Sequence, residues 1–188
     1  MMKIRFLYLV CCLSTLFFIS GCLDCEKASI SIDMVHQIAE VRYINIVSNS
    51  KDEETVKTDF RELIQKVYFE DDPTSDPDRI TSRRLLKNNG QLDGIVRFSF
   101  KSSKKALKEY GIETDSRGDF ILDLTKESKN YQASSNGRWI ESGSKKVLKW
   151  PKTARKIEFE QKSKVFDEAT KTSLLKHWQA WVDQSMKE

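Results

Sequence analysis

The sequence predicts an α+β domain built on a mainly antiparallel sheet with about three helices, the C-terminal helix packing on the sheet. Three observations carry this expectation. Short runs alternate apolar and polar residues, the period of a strand with one buried face. Tight-turn residues, Asn89-Gly90 above all, stand between such runs. Stretches with apolar residues at helical spacing separate the strand pairs, and one such stretch closes the chain. The expected order is β-β-α-β-β-α-β-β-β-β-α. Among 188 residues there are only 7 glycines and 3 prolines, which argues against long linkers, and no internal repeat is visible. Residues 28–188 are therefore read as one domain.

Each element has a local reason. Ile30, Ile32 and Met34 alternate with Ser29, Ser31 and Asp33, a first strand. Val41, Tyr43 and Val47, with Ile44 and Ile46 on the other parity, predict a second strand apolar on both faces. Ser50 to Glu53 has the S-x-x-E spacing of a capping box. Behind it, Val56, Phe60, Leu63, Ile64, Val67 and Tyr68 predict a helix over residues 52–69. An acidic loop follows, from Glu70 to Asp78. Ile80 to Leu86 and Leu92 to Phe100 then flank Asn88-Asn89-Gly90 as a hairpin. Ser102 or Ser103 can cap a short helix that Gly111 would stop. Phe120, Leu122 and Leu124 form another strand. Asn136-Gly137 and Ser142-Gly143-Ser144 are turn signals around Arg138 to Glu141 and Lys146 to Trp150. Ile157 and Phe159 alternate in a last strand. Phe166, Ala169, Leu174, Trp178, Trp181 and Val182 predict a closing helix over residues 165–184.

The N-terminus has a different character. Lys3 and Arg5 precede an apolar run from Phe6 to Ser20. As a helix this run reaches roughly 22 Å at ~1.5 Å per residue, short of the ~30 Å hydrocarbon thickness. A basic start, a short apolar stretch and then small residues form the layout of a secretory signal. The run ends Ile19-Ser20-Gly21-Cys22, which resembles the lipobox of bacterial lipoprotein precursors. The resemblance implies a signal peptide over residues 1–21, cleavage between Gly21 and Cys22, and acyl chains on Cys22. Residues 22–27 are then the lipidated N-terminus and a short tether. The next residue is Leu23, not the aspartate that retains lipoproteins of enteric-type cells at the inner membrane. The resemblance thus implies a lipid-anchored envelope protein, on the periplasmic face of the outer membrane where two membranes are present. Separately, Ser135 to Pro151 resembles the C-terminal hairpin of some bacterial lipoprotein domains of unknown function, with an Asn-Gly turn and a strand ending in tryptophan.

Composition excludes several functions. A net charge of +4, from 32 basic and 28 acidic residues without long blocks of one sign, does not suit nucleic acid. Neither G-x-S-x-G nor H-E-x-x-H occurs, and no phosphate-binding glycine loop is present. Once Cys11 and Cys12 leave with the signal and Cys22 is acylated, Cys25 alone keeps a thiol. With His36 and His177 it gives no zinc-ligand spacing. Glu70, Asp71, Asp72, Asp76 and Asp78 read as a solvated acidic loop. Residues 113–119 fail as a calcium loop, since Arg117 replaces a ligand and Leu124 stands where a bidentate glutamate is needed. No catalytic residue, metal or cofactor is expected.

All four tryptophans fall in the last 50 residues. Trp178 and Trp181, three apart on the closing helix, share a face that either packs in the core or docks a partner. The expected function is a non-enzymatic envelope lipoprotein that binds an envelope protein partner or assists assembly. The alternative is a lipoprotein holding a lipid or small apolar ligand; an enzyme of unrecognised chemistry ranks third.

Overall fold

In a computed structural model, residues 23–69, 79–125, 131–132, 135–163 and 166–186 are described. The architecture is the α+β arrangement expected, with antiparallel pairing in every ladder. The expected signal segment with Gly21 and Cys22, and the acidic stretch 70–78, lie outside the described residues.

Strand β1 (Leu23–Asp33) pairs with β2 (Ile38–Ser48) from Leu23↔Ser48 to Asp33↔Ile38. Residues 23–27, expected as a tether, are thus part of the sheet. The reason is packing: Leu23 is only 1% exposed and joins the core, so the strand starts there and not at Ile30. Helix α1 (Glu53–Ile64) follows and runs into one π-turn over Gln65–Phe69. Its cap is Asp52 rather than Ser50. The Asp52 carboxylate accepts from Thr55 N at 2.9 Å and from the Thr55 hydroxyl at 2.7 Å. Ser50 Oγ instead accepts from Asp52 N.

β3 (Arg79–Asn88) and β4 (Gln91–Ser99) form the expected hairpin. Asn89 and Gly90 take φ of 49° and 79°, the positive values a two-residue turn requires. Ser102 caps α2 (Ser103–Glu109), and Gly111 at φ 72° ends it. Then come β5 (Ile112–Thr114), β6 (Phe120–Asp123), β7 (Tyr131–Gln132), β8 (Arg138–Ser142), β9 (Lys145–Trp150) and β10 (Lys156–Ser163). A 3₁₀ turn at Glu168–Thr170, β11 (Thr172–Ser173) and α3 (Leu175–Ser185) close the described chain. The larger sheet has the order β3-β4-β2-β1-β10-β7, with β11 added to the end of β2. The smaller sheet has the order β5-β6-β9-β8. The short strands β5, β7 and β11 carry too few residues to show a period.

One contiguous core joins both sheets and all three helices, among them Ile32, Ile46, Leu63, Leu107, Leu148 and Trp150. Three carboxylates are buried among the described residues, Asp59, Asp93 and Glu109, and the first two organise their surroundings. Asp59 on α1 accepts from the Ser48 hydroxyl at 2.5 Å. Asp93 on β4 is fully buried and satisfied on all sides. It accepts from Arg42 Nη2 at 2.9 Å, Arg42 Nε at 3.2 Å, Asn88 Nδ2 at 2.9 Å and Asn45 N at 3.1 Å. The position explains the charge. Pairing of β2 with β4 ends at Tyr43↔Gly94, Asn45 adopts φ 56°, and Asp93 takes the amide that has left the ladder.

The two sheets are tied by Asn136. Its Oδ1 accepts from Trp150 Nε1 at 2.7 Å and from Glu158 N at 2.9 Å, while its Nδ2 donates to Lys156 O. Asn136-Gly137 is therefore a clamp between β9 and β10, not a hairpin turn. The hairpin turn between β8 and β9 is made by Gly143, at φ 59°.

Candidate functional site

The closing helix is shorter than its apolar pattern predicts. Phe166 and Ala169 lie before it, and Leu174 is its N-cap. Leu174, fully buried, plugs the core; Trp178 and Trp181 are only half-buried and pack against it. This redistributes the expected cost of mutation. Leu174→Ala should destabilise by about 2–5 kcal/mol, as for other fully buried leucines. Trp178→Ala should cost less despite removing a larger side chain. Thermal melts of the two variants test the ranking, and a lower melting temperature for Trp178→Ala would refute it.

Around α3 an aromatic surface forms. Phe60 on α1 faces His177, with centroids 5.8 Å apart. Trp181 stacks on Tyr68 of the π-turn at 5.0 Å and 25°. The π-turn matters because it shifts the register by one residue at the end of a regular helix. Val67 keeps its contact with the core, while Tyr68 and Phe69 emerge 40% and 61% exposed. The turn is pinned to the edge strand: Tyr68 Oη accepts from Leu85 N, and Lys66 O accepts from Arg83 Nη1. Met186, 75% exposed, follows α3. The Tyr68–Trp181 stack, with the exposed Phe69 next along the chain, is a ledge of rings between the π-turn and α3. Trp178 adds a further feature. Its indole N–H is buried without an acceptor, whereas a buried tryptophan ordinarily finds one.

The remaining sequence candidates are not brought together. His36 lies at the β1–β2 hairpin tip, its Nδ1 2.8 Å from Asp33 Oδ2, and His177 is on α3. Hydrogen bonds from His36 hold the Asp33 carboxyl below its usual range. Cys25 is partly buried in β1; burial pushes its thiol up to about 12, and the Asp24 carboxylate adds to the effect. Such a thiol reacts slowly and suits neither catalysis nor exchange. Among the described residues no group of three His, Cys, Asp or Glu side chains could hold a metal ion.

The failed calcium loop has a physical explanation. The Lys149 ammonium lies where a cation would, 2.7 Å from Asp115 Oδ2 and 2.9 Å from Asp119 Oδ2. It holds the Asp115 carboxyl down at about 2, with backbone amides of Arg117 and Asp119 contributing. Asp119 is lowered for the same first reason. A depressed carboxyl stabilises the fold above its unfolded value and loses that contribution as pH falls through the folded one. Acid unfolding should therefore steepen between pH 3.8 and about 2. In Lys149→Met that dependence should flatten; an unchanged acid profile would refute the assignment.

Sequence reasoning missed Phe69 and read Tyr68 only as part of a helix stripe. The signal was present as three consecutive apolar residues, Val67-Tyr68-Phe69, which no single helix face can bury. No family model, no characterised protein and no solved structure matches this chain.

Proposed function

We propose that this chain is a lipid-anchored cell-envelope protein whose domain binds an envelope protein partner and catalyses no reaction. The observation that carries the reading is the ring ledge. A fold that spends a π-turn to leave a tyrosine and a phenylalanine exposed, backed by a half-buried tryptophan, has the composition of an interface core. The anchor half rests on Ile19-Ser20-Gly21-Cys22 after a short apolar run. Two or three acyl chains are needed there, since one chain gives only marginal membrane binding. With Leu23 after the anchor, the destination is the periplasmic face of the outer membrane in a two-membrane cell.

An acyl-chain precursor fed to cells should label the wild type and not Cys22→Ala; equal labelling would overturn the anchor. Fractionation should recover the labelled protein with the outer membrane, and recovery in the inner membrane alone would overturn the destination. For the ledge, Phe69→Ser should abolish recovery of the partner in whole envelopes while leaving the melting temperature unchanged. Loss of both together would make the ring structural and the binding assignment wrong.

A further inference from the structure

We infer that the ring ledge is turned away from the bilayer and receives apolar side chains of a protein, not lipid headgroups. The inference rests on the anchor reading above and adds the orientation of the domain.

Sheet register supplies the geometry. On the anchor reading the acylated residue is Cys22, and β1 begins at the next residue with Leu23↔Ser48. One peptide bond then joins the acylated residue to the first residue of the sheet. The same end of the sheet carries the starts of both ledge helices. β11 pairs Thr172↔Ser48, and α3 begins three residues later at Leu175. Asp52 caps α1 shortly after Ser48. This end is also locked. The buried Lys171 ammonium pairs with Asp24, donates to Asn49 Oδ1 at 2.7 Å, and lies 4.7 Å from the Phe166 ring centroid. The strand next to the anchor is thereby fastened to the segment that launches α3.

The ledge is higher up. Tyr68 Oη bonds Leu85 N, and Leu85 lies in one row with Gly94, Tyr43 and Ala28. Ala28 is five residues along β1 from Leu23, which at ~3.3–3.4 Å per residue is about 17 Å. The headgroup layer beyond the hydrocarbon is only about 5–8 Å deep on each side. Three strand spacings of ~4.8 Å also displace the ledge sideways from β1. A domain standing on its anchored end therefore holds Tyr68, Phe69 and Trp181 in the aqueous space, where the apolar side chains of a protein partner can cover them.

The test uses the full acylated protein in vesicles of phosphatidylethanolamine and phosphatidylglycerol containing a headgroup-nitroxide lipid. A fluorophore is placed on Lys51→Cys or on Phe69→Cys; the Cys25 thiol, held near 12, is spared. Quenching should be severalfold stronger at position 51 than at position 69. Equal or stronger quenching at 69 would overturn the orientation. A photo-cross-linker at position 69 in whole envelopes should give a protein adduct of one defined mass that Trp181→Ala weakens. Adducts to lipid alone, or protein adducts indifferent to Trp181→Ala, would overturn the docking. The intact mass separates the two readings: an unacylated protein refutes the anchor, and this inference with it, whereas an acylated protein quenched at 69 refutes this inference alone.

Discussion

Asp93→Ala should remove about 3–5 kcal/mol of stability, the cost of breaking a buried ion pair from one side. The change strands more than Arg42. Asn45 N and Asn88 Nδ2 also lose their acceptor, and Asn45 is itself buried. Against a net stability of about 5–15 kcal/mol this is a large fraction. Arg42→Met also strips the buried carboxylate of its counter-charge, but it should cost less, because Asp93 keeps two other donors. Urea denaturation decides it: the midpoint should fall further for Asp93→Ala than for Arg42→Met at similar slope. The reverse order would mean that Asp93 does not organise the end of the β2–β4 ladder.

Gly137→Ala should be almost as damaging, although it adds a single methyl. That methyl would meet Trp150 Cε2 at 2.6 Å and Nε1 at 2.7 Å. Trp150 is 1% exposed and tied to Asn136, so it has little room to retreat. Overpacking of this kind costs about 3 kcal/mol. The cause is specific, so it can be relieved. In a Trp150→Leu background, Gly137→Ala should cost much less than in the wild type, a strong departure from additivity. Additive melting temperatures would show that the glycine is needed for its backbone and not for the tryptophan's indole.

Much of the architecture was legible because it rests on local chemistry. Alternation at Ile30 and Ile32, the Asn89-Gly90 turn, and Ser102 with Gly111 around α2 act within a few residues, and the structure carries all of them as read. What escaped the sequence depends on partners far along the chain. Asn136-Gly137 has the letters of a hairpin turn, yet its roles are set by Trp150, Lys156 and Glu158. Leu23 looks like tether until Ser48 is placed beside it. Nothing local in the sequence marks Asp59, Asp93 and Lys171 for burial, and only Ser48, Arg42 and Asp24 show why they are buried. For the candidate site, Trp178 and Trp181 were found by spacing, but the ledge needed the π-turn, which no periodicity announces.

The pairing of β1 with β10 has a consequence for how the chain reaches its native state. Lys27 meets Glu160 across 133 positions, so the larger sheet closes only when nearly the whole domain is at hand. Such non-local pairing makes folding slow, because loop closure must be paid in entropy before the strands reward it. A chain delivered N-terminus first would hold β1 with one edge open until β10 arrives. During that interval an apolar strand edge is exposed to mispairing. Refolding from denaturant should accordingly take milliseconds to seconds, not microseconds, and late truncations that remove β10 should leave an insoluble product.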